Sequence, residues 1–346
     1  PGMDVDVQTE LSPRTLKEIV GSYDGLVIRS ATRVTADILA SAQSLRVIGR
    51  AGIGLDNVDI PEASRRGIVV MNTPEGNTIT AAEHTIAMMM AISRNIPQAT
   101  ASLKAGKWEK KAFKGRELFN KTLGLIGAGH IGRVVADRAR GMKMKVIVYD
   151  PYIKPEAIEK VDLEPVSLDE LLARADYVTV HTPKTEETFD MINRDALAKM
   201  KKDAILLNCA RGGIVNEEAV CEALESGRLA GAAFDVFTIE PPEGNRLMNL
   251  DNFICTPHLG ASTQEAQDNV AKEVAEQIIA YLLHGSVKNA VNVPSISPEL
   301  MTVLRPYAIL LERMGSLQAQ LSDSALVEVQ IDYSGAITQY DVKPLT

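Results

Sequence analysis

The sequence predicts an α/β protein: a doubly wound parallel sheet, a second and smaller parallel sheet, and the start of a third, α+β domain. Three observations carry this expectation. From residue 26 to residue 256, short β-rich runs alternate with helix-compatible stretches, the pattern of parallel sheets with helices on their faces. A glycine-rich turn joins one of those runs to the helix after it, as a doubly wound sheet requires. The length, 346 residues, is about two domains and a remainder at roughly 150 residues each.

Taken in order, the runs 26–30, 46–50 and 68–72 read as strands, with helices at 35–42 and 61–66 and Thr35 as a candidate N-cap. Residues 80–103 read as one long helix whose Met and Ile residues exceed a single stripe. Two readings are open for it, a core helix between domains or a helix that also meets a second subunit. A longer series then gives strands at 122–126, 145–149, 177–181, 204–208, 232–235 and 252–256, with helices at 131–142, 167–174, 195–199 and 217–225. Residues 263–284 read as a long amphipathic helix that returns the chain to the first domain. A polar stretch with two prolines, 287–298, reads as a linker. After it, 299–321 is a helix, and 325–333 and 336–342 are a hairpin around Ser334-Gly335. A helix and one hairpin make no stable domain, so they read as the start of a severed third one. The boundaries are therefore 1–74 for the first segment of a substrate domain, 75–261 for a nucleotide domain, 262–284 for the return helix, and 285–346 for linker and partial third domain.

Composition narrows the function. The hydrophobic fraction is 45% and the charged fraction 24%, ordinary for a globular chain and unlike a disordered tail, a fibre or a disulfide scaffold. With Lys+Arg 37 against Asp+Glu 45 the net charge is -8, which argues against general adhesion to nucleic acid or an anionic membrane. Any anionic substrate must then be captured by a few placed cations. Cys209, Cys221 and Cys255 share no CxxC spacing and are odd in number, fitting a reducing cytosol better than secretion. No apolar run nears the roughly 20 residues a bilayer span needs, and no signal peptide opens the chain. The chain starts at Pro1-Gly2 and stops at Thr346 after a strand-like run, so both ends read as cuts. No metal is expected.

Gly127-Ala-Gly129-His-Ile-Gly132 is GxGxxG, placed after an apolar strand and at the start of a helix. In this context the first glycine turns the chain, the second admits the pyrophosphate and the third lets helix pack on strand. The helix N-terminus adds free N–H groups and positive dipole. This is a Rossmann-type dinucleotide fingerprint. Asp150, 150 − 127 = 23 residues on, is placed to accept the ribose hydroxyls and to repel a 2′-phosphate, which favours NAD over NADP. The alternative is that Asp150 only begins the turn before Pro151.

Ligands of an open α/β sheet lie at the carboxyl ends of its strands. There the sequence puts His181-Thr182, Asn208-Cys209-Ala210-Arg211, Asp235 with Glu240 after it, and Pro257-His258 followed by Gly260. Oxidising a secondary alcohol requires a base near neutral pKa, a group to orient it, and a cation to bind a carboxylate. His258 is read as the acid/base, Glu240 as its partner, and Arg211 as the substrate fork. His181 shares the edge and is the rival acid/base, whereas His84 and His284 fall in helical patterns. Glu240 alone could cap a loop and Arg211 alone could be a surface cation, so the joint arrangement is what argues. His130 and Ile131 of the glycine loop, with Thr182, Cys209, Ala210, Asp235 and Gly260, are expected to face the dinucleotide.

These motifs resemble the NAD-dependent D-2-hydroxyacid dehydrogenases. The resemblance is carried by Gly49-Arg-Ala-Gly-Ile-Gly-Leu-Asp-Asn-Val-Asp59, Met71-Asn-Thr-Pro74 with Gly76-Asn77, and Asn208-Cys-Ala-Arg-Gly-Gly-Ile-Val215. Asp235-Val-Phe-Thr238 with Glu240-Pro-Pro242, and Pro257-His-Leu-Gly-Ala-Ser-Thr263, complete it. It covers residue 20 to the end and implies a flavodoxin-like substrate domain in two segments, a nucleotide domain between them and a closing cleft. It puts the family's Arg, Glu and His trio on Arg211, Glu240 and His258, and implies a homodimer with helix 80–103 in the interface. The implied reaction is oxidation of 3-phospho-D-glycerate by NAD to 3-phosphohydroxypyruvate, the entry to serine synthesis. Relatives begin with a further strand and helix of the substrate domain. Long-form relatives continue through an intervening domain to a serine-binding regulatory one.

The substrate argument has a second leg in the first domain. Arg29 and Arg50 end two neighbouring strands and Asn77 follows the third, an expected anion site separate from Arg211. The 51–54 turn is expected to add N–H donors. A substrate with a carboxylate at one end and a phosphate at the other would use both sites, and glyoxylate or lactate only one. The alternatives are a glyoxylate or hydroxypyruvate reductase, or a dinucleotide-sensing co-repressor-like binding protein.

Overall fold

The computed structural model describes residues 2–294, 298–321, 329–340 and 342 of the chain. Two compact units divide it, one made of Pro1–Gly76 with Gln267–Thr346 and the other of Asn77–Ala266.

In the first unit, Ser12 Oγ accepts from Thr15 N at 3.1 Å and Pro13 fills the first turn, which starts α1 (Pro13–Ile19). Then come β1 (Gly25–Ile28), α2 (Ala36–Ser41), β2 (Val47–Arg50), α3 (Ile60–Arg65) and β3 (Val69–Asn72). Thr35 precedes α2 in extended conformation but makes no capping bond through its side chain. The strands are parallel in the order β1-β2-β3, with Ile28 opposite Arg50 and Arg50 opposite Asn72. Alternation along them sends Ile48 and Val70 to one face, against Leu16, Ile38, Leu39 and Ala63. Val47, Val69 and Met71 go to the other. A parallel sheet needs both faces covered.

The second unit opens with α4 (Thr78–Ser93) and α5 (Ile96–Lys104), where the sequence read as one helix over 80–103. The break has a local cause. Asn95 adopts φ 52°, a left-handed conformation Asn tolerates, and Pro97, in the first turn of α5, has no N–H with which to extend α4. Then follow β4 (Thr122–Ile126), α6 (His130–Gly141), β5 (Lys145–Tyr149), α7 (Pro155–Glu159), β6 (Glu164–Pro165), α8 (Leu168–Arg174) and β7 (Tyr177–Val180). The series ends with α9 (Arg194–Lys199), β8 (Ile205–Asn208), α10 (Glu217–Glu225), β9 (Gly231–Phe234) and β10 (Phe253–Cys255). All seven strands are parallel, in the order β10-β9-β8-β7-β4-β5-β6. This is a Rossmann-type doubly wound sheet, and its order reverses between β4 and β7. The six strands read from the sequence are joined by β6, a two-residue edge strand too short for any periodicity.

Both faces are packed. Leu123 and Leu125 join Met88, Met89, Ile92, Val135 and Ala139 of α4 and α6. Ile126 joins Leu171, Leu197, Val220 and Leu224 of α8, α9 and α10. Gly124 has no side chain because a Cβ there would lie 2.5 Å from Leu171 Cδ2.

α11 (Gln264–His284) then supplies the second face of the small sheet. A Cβ on Gly49 would sit 2.5 Å from Val274 Cγ2, and one on Gly25 3.2 Å from Leu282 Cδ1, so both glycines let the helix lie close. The stretch read as a linker pairs with β3: Met71 bridges Ala290 in antiparallel fashion, and Asn292 Oδ1 accepts from Val70 N at 2.8 Å. Without it β3 would present a bare edge. α12 (Pro298–Leu321) carries Pro306 within it. The expected hairpin is not there among the described residues: Gly335–Gln339 is a short 3₁₀ helix and 329–333 lies in no strand, while 325–328 and 341 fall outside them. A lone hairpin buries too little to hold itself together.

Candidate active site

The sheet's reversal point is where the glycine loop lies. Gly127 turns at φ 101° and donates from N to Tyr149 O at 2.8 Å. A Cβ there would come within 2.7 Å of His181 O, and one on Gly132 within 2.1 Å of Gly127 O. Gly129 differs: a Cβ on it would meet nothing within 4 Å. Two glycines thus let backbone approach backbone, and the third faces open space at the N-terminus of α6, where free N–H groups and the dipole favour an anion. Thr182 Oγ1, buried at the same edge, has no hydrogen-bond partner among the described residues. This cradle fits a dinucleotide pyrophosphate. His130 is exposed and Ile131 half-buried at the head of α6.

Asp150, at the tip of β5, accepts three backbone N–H groups: Ala128 on Oδ2 at 2.6 Å, and Tyr152 and Ile153 on Oδ1 at 2.8 Å each. It ties the glycine loop to the turn after β5. These bonds are those of a residue that begins the turn after β5.

On the other side of the reversal, the loops after β8, β9 and β10 are built against one another. Asn208 holds the first, accepting Ala210 N on Oδ1 at 3.1 Å and donating from Nδ2 to Arg211 O at 3.0 Å. Arg211 Nη1 donates to Ala210 O at 2.7 Å. A Cβ at Gly212 would fall 1.9 Å from Phe237 O, so only glycine lets these two loops meet. Phe237 N in turn donates to Glu240 Oε1 at 3.0 Å, and Glu240 Oε2 lies 2.8 Å from His258 Nδ1. Arg211, Glu240 and His258 thus belong to one connected group of loops. An ionised carboxylate only accepts, so Nδ1 carries a proton, and in the neutral ring Nε2 is the nitrogen with the lone pair. The His258 side chain is 48% exposed and that of Glu240 39%.

His258 adopts φ 56°, and Asp235 holds it there. The Asp235 carboxylate is 1% exposed and accepts from Thr256 Oγ1 at 2.5 Å, Leu259 N at 2.7 Å and Gly260 N at 2.7 Å. The Asp235 carbonyl accepts His258 N at 2.9 Å. His84 Nε2 of α4 lies 3.2 Å from Asp235 Oδ1 and 3.0 Å from Thr256 Oγ1. Burial pushes the Asp235 carboxyl up, but the hydrogen bonds from His84, Thr256 and Leu259 outweigh it, leaving it below the ordinary carboxylate value. The sequence reading gave His84 no role, and no local pattern marks it, since its partners are distant in the chain.

Two other groups at this edge stay neutral. Burial drives His181 down to about 4, and its Nε2 lies 2.9 Å from Thr179 Oγ1. Burial, then the charge of Asp235, pushes the Cys209 thiol up to about 12.

In the first unit, Arg29 follows β1 and is exposed, with its carbonyl accepting Asn57 Nδ2 at 2.9 Å. Arg50 ends β2 and lays its guanidinium over Gly52, where a Cβ would stand 1.9 Å from Nη1. The donors expected from the 51–54 turn are partly spent: Ala51 N donates to Ile28 O and Gly52 N to Thr73 Oγ1, because the turn is stitched to its own sheet. Asn77, the N-cap of α4 in the second unit, has its buried Oδ1 without a hydrogen-bond partner among the described residues. Among those residues no three His, Cys, Asp or Glu side chains are grouped to hold a metal ion, and no helix is long and apolar enough to cross a membrane.

Comparison with known proteins agrees with this architecture. The family model for the D-isomer specific 2-hydroxyacid dehydrogenase NAD binding domain matches residues 86–260. The model for the D-3-phosphoglycerate dehydrogenase intervening domain matches residues 303–346. D-3-phosphoglycerate dehydrogenase of Synechocystis is 49% identical over 336 residues, 97% of this chain and 61% of that protein. The protein of the same name from Methanocaldococcus jannaschii is 47% identical over 337 residues, 97% of this chain and 64% of its own length. The chain thus spans less than two thirds of either relative. Among solved structures, a Thermus thermophilus protein superposes with a TM-score of 0.75 at 37% identity, covering 81% of this chain and 90% of its own.

Proposed function

The chain belongs to the D-isomer specific 2-hydroxyacid dehydrogenase family, and from that we propose that it oxidises 3-phospho-D-glycerate to 3-phosphohydroxypyruvate, the first step of serine synthesis. The observation that carries the chemistry is the pairing of His258 Nδ1 with Glu240 at 2.8 Å, which leaves Nε2 as a free base on the sheet edge next to the loop of Arg211. The cofactor is NAD, which when bound would supply the hydride acceptor for the substrate C2. The glycine loop with Gly127, Gly129, His130, Ile131 and Gly132 would hold its pyrophosphate and Asp150 its ribose. Thr182, Cys209, Ala210, Asp235 and Gly260 would line the rest of its path.

The chain's own part is proton and charge placement. Nε2 of His258 takes the hydroxyl proton as the C2–H bond breaks, and Glu240 stabilises the imidazolium that results. In reverse that imidazolium donates the proton back. Arg211 forks the substrate carboxylate and polarises the neighbouring oxygen. His181, held neutral with a value near 4, is too weak a base to serve near neutral pH. Arg29, Arg50 and Asn77 are proposed for the phosphate. The intervening-domain match and the names of the relatives favour a phosphorylated substrate over glyoxylate.

We infer also that the protein works as a homodimer in a reducing cytosol. Ile79, Met90, Ile96 and Leu103 of α4 and α5 are 46–57% exposed, an apolar strip a second copy would cover, and the three cysteines are unpaired. Light scattering tests the dimer. The activity test is NADH production from 3-phosphoglycerate beside unphosphorylated glycerate, with a strong preference for the first expected. Equal rates would remove Arg29, Arg50 and Asn77 from the substrate site and favour a hydroxypyruvate or glyoxylate reductase. Binding of NADH with no turnover of any 2-hydroxy acid would favour the sensor.

A further inference from the structure

His84 reaches the loop of His258 from outside the group of strand-end loops. Its ring is 18% exposed and it sits on α4, 258 − 84 = 174 residues from His258 in the chain. The proton inventory of its contacts is fully determined. The Asp235 carboxylate is an acceptor only, and Thr256 spends its one hydroxyl proton on Asp235 Oδ1 at 2.5 Å. The proton shared with Thr256 Oγ1 at 3.0 Å and Asp235 Oδ1 at 3.2 Å must therefore come from His84 Nε2. One imidazole N–H is thus forked between a carboxylate and a hydroxyl. Those two groups hold the backbone on both sides of His258: Thr256 two residues before it, and Leu259 and Gly260 after it through Asp235.

Resting on the proposed function, we propose that His84 is a positioning residue for the acid/base His258: its Nε2–H completes the clasp that keeps residues 256–260 in the left-handed turn. It touches neither cofactor nor substrate. Without that donor, Asp235 loses its bond to α4, and Thr256 keeps only a long contact there, to Met88 Sδ at 4.0 Å. The turn is then held chiefly by groups within the β9 and β10 loops and spends more time open, so His258 is less often in place. Proton transfer then suffers more than binding.

The test compares His84→Leu, which removes the donor, with His84→Gln, whose side-chain amide nitrogen can stand where Nε2 stands. His84→Asn carries the same amide on too short a stem and serves as the non-reaching control should the leucine variant not fold. Three quantities are read: native-state hydrogen exchange at the Leu259 and Gly260 amides, kcat and KM on whichever 2-hydroxy acid the wild type oxidises, and NADH affinity by fluorescence. We expect faster exchange at both amides in His84→Leu and His84→Asn, with kcat lower by roughly 10–100-fold. KM and NADH affinity should change by much less than kcat, and His84→Gln should recover both exchange and kcat. Wild-type kcat in His84→Leu or His84→Asn overturns the proposal, as does a loss that His84→Gln shares in full. Should the wild type oxidise no 2-hydroxy acid, the functional reading falls on that result alone. The exchange rates then decide whether His84 holds the turn.

Discussion

A histidine at φ 56° pays for its backbone, since the left-handed region costs a residue other than glycine about 1–2 kcal/mol. The Asp235 clasp offsets that cost and aims His258 at Glu240. Asp235 therefore has a pH signature. Its folded-state carboxyl lies below the ordinary value, so its stabilisation is complete above the unfolded value of about 3.9 and is lost as pH falls through the folded one. Asp235→Asn should lower stability by roughly 3 kcal/mol near neutrality, and thermal melts should show the gap to wild type closing below about pH 4. A gap constant down to pH 2 would show that the charge is not what holds the loop. At the sheet edge, Arg211→Lys keeps the charge but loses the planar fork, and turnover should fall by about two to three orders of magnitude. His258→Ala should abolish turnover with NADH binding intact, and a normal rate in that variant would move the acid/base to His181. The meeting of Arg211, Glu240 and His258 at one sheet edge was legible because strand ends in a parallel sheet are predictable from periodicity. His84 was not, because its partners, Thr256 and Asp235, lie 172 and 151 residues away and only the packing of α4 brings them together.

At the scale of elements, the three glycines of the loop serve two different ends, which separates folding from binding. Gly132 lies where a Cβ would press to 2.1 Å on Gly127 O, whereas a Cβ on Gly129 would meet nothing. Gly132→Ala should thus force α6 off β4, lowering the melting temperature and NADH affinity together. Gly129→Ala should leave the melting temperature within about a degree or two, a change under about 0.5 kcal/mol, and still weaken NADH binding tenfold or so by filling the pyrophosphate space. A Gly129→Ala protein that binds NADH normally would place the pyrophosphate elsewhere. Most elements were legible to within a residue or two because most strands are largely buried and bounded by turn residues. The exceptions have physical reasons. α7 and β6 are held by neighbours rather than by a pattern of their own. The break at Asn95 rests on one left-handed residue. The stretch 287–294 reads as polar linker because its pairing to β3 comes from the Asn292 amide and from backbone, which hydropathy does not register.

In the molecule as a whole, each unit carries hydrophobic clusters of its own among the described residues. Those around Leu39 and Met71 draw only on Pro1–Gly76 and Gln267–Thr346, and those around Leu125 and Leu206 only on Asn77–Ala266. Each unit therefore has its own reason to fold, and two-state unfolding of the whole chain is not expected. The glycine loop lies wholly in the second unit, so a dinucleotide bound by it stabilises that unit by mass action, about 2.7 kcal/mol at a hundredfold excess over Kd. Scanning calorimetry should show two transitions, of which NADH raises one. Gly49→Ala, where the new Cβ would strike Val274 at 2.5 Å and Ile278 at 2.7 Å, should lower the other by about 1–3 kcal/mol and leave NADH affinity unchanged. If NADH and Gly49→Ala both moved one shared transition, the chain would unfold as one cooperative body, and unit-wise reading of stability would fail.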